Sequence, residues 1–300
     1  MGILDGKVAI VTGAGAGLGR SHALALAEEG AKLVINDLGT EWDGSGNASA
    51  GPADNVVKEI NDAGGEAIAN YASVADFQGA KQMIDDAVAK FGKVDIVVNN
   101  AGILRDKMTF NMSEEEWDLV IAVHLKGTFN IGKWAITYWR DQAKAGKPIN
   151  GRIINTISHA AIIGSPGQPN YSAAKGGIAV LTAVWAREME KYGITSNAVC
   201  PMARTRMTVQ TDKHGLFAEV PEDQFDGMAP ENISPLVAYL ASDRAQDITG
   251  HIFSIRGGNL ELFTSWQVAS KIDIERKWTV GELHEQIRTL GDLGMPGIVF

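Results

Sequence analysis

Tyr171 and Lys175 stand four residues apart in a stretch of helical periodicity, so their side chains share one face. Ser158 lies 13 residues before Tyr171, directly behind the apolar run Arg152–Thr156. A phenol, an amine and a hydroxyl so spaced suit proton transfer at an alcohol or carbonyl oxygen. An unperturbed phenol titrates near ~10, too basic to be ionised at neutral pH. An ammonium about 4 Å away, at an effective dielectric of about 20, favours the phenolate by up to about 4 kcal/mol. That is roughly 3 pKa units, enough to bring the phenol near 7, where general acid–base work is efficient. The serine hydroxyl would hold the reacting oxygen and stabilise charge developing on it. Ser158, Tyr171 and Lys175 are therefore the candidate catalytic residues, and Ser158 and Tyr171 the candidate substrate ligands.

Oxidising a secondary alcohol also needs a hydride acceptor, and the N-terminal region offers a place for one. The stretch Thr12–Gly19, TGAGAGLG, follows the apolar run Val8–Val11 and precedes a helical pattern. It does not fit G-x-G-x-x-G, but it fits Gly13-x-x-x-Gly17-x-Gly19. Gly13 would permit the tight turn, and Gly17, Leu18 and Gly19 would open the helix whose N–H groups and positive dipole end suit a pyrophosphate. Asp37 falls 18 residues after Gly19, just beyond the second apolar run. Dinucleotide folds place there the acid that binds the adenosine ribose. A carboxylate at that point repels a 2′-phosphate, and no Lys or Arg lies between Gly13 and Gly19 or between Asp37 and Asp54. The expected cofactor is NAD rather than NADP.

The elements that must hold these groups alternate regularly. Expected strands are Val8–Val11, Lys32–Asn36, Ala67–Ala69, Ile96–Val98, Arg152–Thr156, Ser196–Val199 and Ile252–Ile255. Expected helices are Leu18–Glu29, Asn55–Ala63, Ala75–Lys90, Glu114–Ala145, Tyr171–Tyr192 and Pro235–Ala241. The strands are continuous apolar runs, as in a parallel sheet covered by helices on both faces. Ser113 with Glu116 reads as a capping box, and Ser234-Pro235 as a cap followed by a first-turn proline. The fold class is α/β: one doubly wound Rossmann-type domain over 1–260, an open parallel sheet of about seven strands. A C-terminal helical extension, 261–300, is expected to pack on its own or a partner subunit. Its apolar stripe is Val280, Leu283, Ile287 and Leu290, behind a capping box of Thr279 and Glu282. Gly39–Ala53 is expected to be a solvent-exposed connector.

Composition narrows the function classes. With a formal charge of −9 and no basic run, the chain lacks a nucleic-acid surface. One cysteine, Cys200, suits a reducing compartment. No apolar stretch approaches the roughly 18 residues of a membrane span, and the chain enters a strand by Val8, so a cytoplasmic location is expected. The histidines are scattered without metal-ligand spacing, so no metal is expected.

In this order, T12-G13-A-G-A-G17-L-G19, Asp37, N99-N100-A101-G102, Ser158, Y171-S-A-A-K175 and Pro201 resemble the short-chain dehydrogenase/reductase family, over the chain up to about residue 258. The resemblance implies a nicotinamide cofactor and hydride transfer at a carbonyl carbon. It implies that Tyr171 is the acid/base, Lys175 its activator and a ribose ligand, and Ser158 the substrate-oxygen stabiliser. Asn99, Asn100, Ala101 and Gly102 would line the riboses, with Ser73 and Val74 near the adenine, where the family often has an acid. Two departures stand out. His124 occupies the slot of the family's usual asparagine, and Met202 replaces the glycine that commonly follows the proline. NDLG, NNAGILRDK, VHLKGTF and RMT are similar to the (3R)-hydroxyacyl-CoA dehydrogenase domain of peroxisomal multifunctional enzymes, with Arg105, Lys107, Arg204 and Arg206 as candidates for CoA phosphates. A hydroxysteroid or other bulky polycyclic alcohol is the alternative substrate, and an NAD(H)-sensing binding protein the non-enzyme alternative. A homodimer or homotetramer is expected through the long apolar helices.

Overall fold

The computed structural model describes residues 2–212, 215–221, 223–264 and 267–293. In chain order its elements are β1 (Val8–Thr12), α1 (Gly17–Glu28), β2 (Lys32–Asn36), α2 (Gly51–Asp62), β3 (Ala67–Asn70), α3 (Phe77–Phe91), β4 (Ile96–Asn99), α4 (Glu114–Ile121), α5 (Gly127–Lys144), β5 (Arg152–Thr156), α6 (Ala160–Ile163), α7 (Pro169–Met189), β6 (Thr195–Pro201), α8 (Arg206–Thr211), α9 (Ser234–Ala241), β7 (Ile252–Arg256), β8 (Asn259–Phe263) and α10 (Val280–Gln286). The sheet order is β3-β2-β1-β4-β5-β6-β7-β8, with every pair from β3 to β7 parallel.

The strand interiors show why this chain makes a three-layer fold. Ala9, Val11, Leu33, Ile35, Val98 and Ile154 point into one apolar layer, under α1, α2 and α9. Their chain neighbours Val8, Ile10, Val34, Val97 and Ile153 point into the other, under α3, α5 and α7. Alternate residues along a strand face opposite sides, so a strand covered on both sides is apolar throughout.

The order in which strands are added reverses between the parallel neighbours β1 and β4: β1 leads outward to β2 and β3, while β4 leads the other way to β5. Such a switch point opens a crevice beyond the strand ends. Thr12 closes the base of that crevice. Its hydroxyl accepts from Asn100 N at 3.0 Å and Ala101 N at 3.1 Å, stitching the glycine loop to the end of β4.

The structure departs from the sequence expectation in four places. The sheet has eight strands rather than seven, because Gly257-Gly258 turns β7 back into β8. Two residues suffice only for an antiparallel hairpin, and Gly257 takes φ +52°. The expected helix Glu114–Ala145 is interrupted by a π-helical turn, Ala122–Lys126. Ser234 does not cap α9: it is the helix's first residue, behind Ile233. Its hydroxyl instead meets Ser21 Oγ at 2.7 Å and His22 Nδ1 at 2.9 Å on α1. Lastly, the Gly39–Ala53 segment is docked at one end rather than a wholly solvated connector. Trp42 O accepts from Leu104 N at 3.3 Å and Asp43 O from Arg105 Nε at 2.7 Å, while 45–51 is exposed.

The described residues divide into two compact units, Met1–Leu262 and Phe263–Phe300. Within the second, Thr279 and Glu282 form the expected capping box at α10, and Val280, Leu283 and Ile287 are exposed. Among the described residues, no helix is long and apolar enough to cross a membrane.

Candidate active site

The glycine loop has the shape of a cradle that side chains would fill. Gly13 has φ +61°, and a Cβ on it would lie 2.7 Å from Ala101 Cα. A Cβ on Gly19 would sit 2.1 Å from Gly13 O, so only glycine lets α1 start this close to the loop. Gly17 turns with φ +54°. The helix opens with no side-chain cap at Ala16 and no acid in its first turn, leaving an N–H end that suits an anion. Gly15 belongs to the same design, although its spacing gave no sign of it: its N–H donates to Asp37 Oδ2 at 2.8 Å. Asp37 Oδ1 accepts from Gly39 N at 2.7 Å, so both oxygens are aimed by backbone and keep lone pairs for a ribose. These residues fit a dinucleotide.

The other cofactor candidates divide by what they touch. Asn100 Nδ2 donates to Thr12 O at 3.0 Å and Gly13 O at 3.1 Å, so this amide shapes the loop. Asn99 is buried, donates to Asn155 Oδ1 at 2.9 Å, and leaves its own Oδ1 without a partner among the described residues. Leu18 packs against the core, Ser73 Oγ caps its own turn at Ala75 N, and buried Val74 accepts Asn130 Nδ2 on its carbonyl.

Ser158, Tyr171 and Lys175 come together at the carboxyl ends of β5 and β6. Tyr171 and Lys175 sit in the first turns of α7, which Pro169 opens. The Ser158 hydroxyl stands beside the Tyr171 phenol, near enough to favour its ionised form. Lys175 Nζ lies 5.7 Å from the centre of the Tyr171 ring and donates to Thr156 O at 2.6 Å. Asn170 steadies the helix start: it accepts from Tyr171 N at 2.7 Å and donates to Arg105 O and Glu116 O, both at 3.1 Å.

The expected acidification of the phenol is corrected by this geometry. Burial pushes Tyr171 up to about 12, with the Ser158 hydroxyl opposing, and pushes Lys175 down to about 7. Both shifts favour the neutral forms, because taking a phenolate and an ammonium out of water outweighs their attraction in the chain by itself.

His124, in the π-helical turn, approaches the same phenol. Its ring meets that of Tyr171 edge-on, at 5.1 Å and 89°. Nε2 lies 3.0 Å from Ile103 N and 2.7 Å from Ile103 O. A Cβ on Gly102 would fall 2.3 Å from the imidazole Cε1, so Gly102 makes room for it. Burial, then the charge of Lys175, lowers His124 to about 3. Burial favours the neutral imidazole, which is wedged between Gly102 and Tyr171.

Three of the four basic residues considered for CoA phosphates are engaged with acids. Arg105 pairs with Asp43 at 4.0 Å, Lys107 with Glu116 at 3.5 Å, and Arg204 with Asp226. Arg206, the first residue of α8, is exposed.

Comparison with known proteins agrees with the site. A family model described as short chain dehydrogenase matches residues 7–215. The chain is 43% identical over 292 residues to the hydroxyacyl-CoA dehydrogenase ChsB1 of Mycobacterium tuberculosis, covering 95% of this chain and 88% of that one. It is 47% identical over 253 residues to the peroxisomal multifunctional enzyme type 2 of Drosophila melanogaster, covering 84% of this chain and 39% of that longer protein. A crystal structure of a short chain dehydrogenase from Mycobacterium avium matches with a TM-score of 0.86 at 50% identity, covering 99% of this chain and 98% of that one. The switch-point cradle, the polar trio beyond β5 and these relatives agree: this chain belongs to the short-chain dehydrogenase family and is an oxidoreductase.

Proposed function

We propose that this chain interconverts a 3-hydroxyacyl-CoA and the corresponding 3-ketoacyl-CoA, with NAD as hydride carrier. The observation that carries the reading is the gathering of Ser158 and Lys175 around the buried Tyr171 phenol, at the crevice that the glycine cradle opens. Support for the thioester comes from the names of relatives, the hydroxyacyl-CoA dehydrogenase ChsB1 first among them. When bound, the dinucleotide supplies the hydride-accepting carbon and, oxidised, a positive charge. Gly13, Gly15, Gly17 and Gly19 would hold its pyrophosphate and Asp37 its adenosine ribose.

The residues of the chain handle the proton and the oxygen. Ser158 Oγ holds the substrate oxygen, and the Tyr171 phenol oxygen takes the hydroxyl proton in oxidation or returns it in reduction. Lys175 supplies a cation beneath that oxygen once protonated. A phenol at about 12 keeps its proton in the chain by itself, and Lys175, once protonated, is the group of this chain that would favour its release.

Asp37 favours NAD over NADP, since a 2′-phosphate would meet a carboxylate, and Arg20 at the start of α1 is paired with Glu59 at 2.6 Å. We further propose a dimer or tetramer in solution. NADH absorbance recorded with NAD and NADP against hydroxyacyl-CoAs and hydroxysteroids tests the reading. Turnover is expected with the CoA esters, at least about tenfold faster with NAD. Tyr171→Phe should abolish it while NADH binding persists. Full activity in Tyr171→Phe, or turnover of steroids alone, would reject the proposal.

A further inference from the structure

Behind Ser158 lies a group of polar side chains that the reaction does not use. Each of four neighbouring strands brings one side chain to the row. His159 follows β5, Cys200 is on β6, Ser254 on β7 and Glu261 on β8. His159 Nδ1 lies 3.3 Å from Cys200 Sγ, and its Nε2 lies 3.3 Å from Ser254 Oγ. Ser254 also faces Glu261, its cross-strand neighbour over the Gly257-Gly258 turn, and helps to hold that carboxyl below its ordinary range. Cys200 and Ser254 are buried, while Glu261 is exposed and accepts from Asn259 Nδ2 at 2.9 Å.

One donor order suits these contacts. A carboxylate accepts and does not donate, so Glu261 draws the Ser254 O–H toward itself. The serine oxygen then accepts from His159 Nε2–H. That leaves Nδ1 as a bare acceptor, which takes the Cys200 S–H. The chain thereby sets the imidazole tautomer from the sheet edge inward and keeps Cys200 a thiol. Its inner end abuts the charge of Lys175.

The segment it tethers packs on α7 and leaves its outer side open to solvent. After Ser158 the backbone enters α6, four residues long, with Ile162 and Ile163 both exposed. Ser158 Oγ also accepts from Ala160 N at 3.2 Å, so a shift of this turn would turn the hydroxyl away from Tyr171. The imidazole is the lateral tie from that turn to β6 and β7.

We infer that His159, oriented by Ser254 and Glu261, is a positioning residue that holds the Ser158 hydroxyl toward Tyr171 and the substrate oxygen. The inference rests on the proposed role of Ser158. Because a misaimed hydroxyl costs transition-state stabilisation rather than binding, the loss falls on kcat and spares KM.

The test compares kcat, KM and NADH affinity of the full-length chain in five variants, with near-UV circular dichroism as a check on folding. Ser158→Ala sets the scale of loss. His159→Leu should lower kcat about tenfold, with KM and NADH affinity within about twofold. His159→Asn, which keeps an acceptor for the Cys200 thiol, should recover most of that loss. Glu261→Leu, a surface change on β8, three strands from the β5 that leads into Ser158, should lower kcat about threefold without changing the melting temperature. Leu260→Gln, on the opposite face of β8, should match wild type. Wild-type kcat in folded His159→Leu, with Ser158→Ala impaired, would overturn this inference alone. Should His159→Leu fail to fold, Glu261→Leu decides: a kcat equal to that of Leu260→Gln would overturn the inference equally. Full kcat in Ser158→Ala would overturn both this inference and the reading of the site.

Discussion

At the residue scale, the site is a contest between Coulomb attraction and desolvation. The Tyr171/Lys175 spacing was readable, and so was the chemistry of the types. What spacing does not carry is how deeply both groups are buried, and here burial decides the protonation state. The consequence reaches stability. Burial holds Lys175 down to about 7 in the folded chain, against an ordinary value of 10.5. Between those values the unfolded chain carries a proton that the folded chain lacks, so stability rises with pH. Burial of Cys200 has the opposite effect above 9, since its thiol is pushed up to about 12. The clean window is therefore pH 7 to 9. Urea melts of the full chain without dinucleotide should show stability climbing there, by at most about 1.4 kcal/mol per pH unit from this one group. Lys175→Met should lack that contribution. Parallel slopes in wild type and variant would show that the amine is not desolvated. His159 illustrates the opposite limit of reading: its neighbours lie on β6 and β7, and nothing in local spacing announces the strand order that brings them together.

At the element scale, periodicity served well where one element has one environment. Every expected strand is present, because a run such as Lys32–Asn36 is apolar on both faces and flanked by breakers. The failures share a cause, namely a tertiary contact that overrides a local signal. The apolar run through Ala122–Lys126 has ordinary helical composition, yet a π-helical turn there seats His124 against Ile103 and Tyr171. Ser234 has the type and position of a cap, but the demand of two buried groups on α1 is stronger. Its hydroxyl serves both Ser21 and His22, the latter lowered to about 4 by burial. The distinction can be measured. An exposed cap lost to alanine costs about 1 kcal/mol, and Ser113→Ala at α4 should cost about that. Ser234→Ala strands two buried partners and should cost about 2 to 3 kcal/mol, by urea denaturation with an unchanged slope. A cost no larger than that of Ser113→Ala would mean the α1–α9 contact contributes nothing beyond an ordinary cap.

At the scale of the whole molecule, the question is what covers the helices. The fold buries α7 against the sheet through Ile178, Trp185 and Met189, but a second apolar face remains. Val180 is 55% exposed and Val184 38%, and the two stand four apart, on one side of the helix. Phe129 on α5, at 44%, and Trp117 on α4, at 40%, add aromatic surface on the same helical layer. Scattered exposed hydrophobics need no explanation, whereas a stripe at helical spacing on a long helix does. A second copy is the occupant we propose, through an isologous contact that pairs the α7 stripe with itself or with α5. Each copy carries a net charge of −9, so the association must overcome like-charge repulsion and should strengthen with salt. Light scattering at micromolar concentration should give a dimer or tetramer. Val180→Glu combined with Val184→Glu places two acids from each copy in the contact and should shift the chain to monomer, with NADH binding retained. A wild-type monomer at every salt concentration, or a double variant that assembles like wild type, would show that the stripe is ordinary surface.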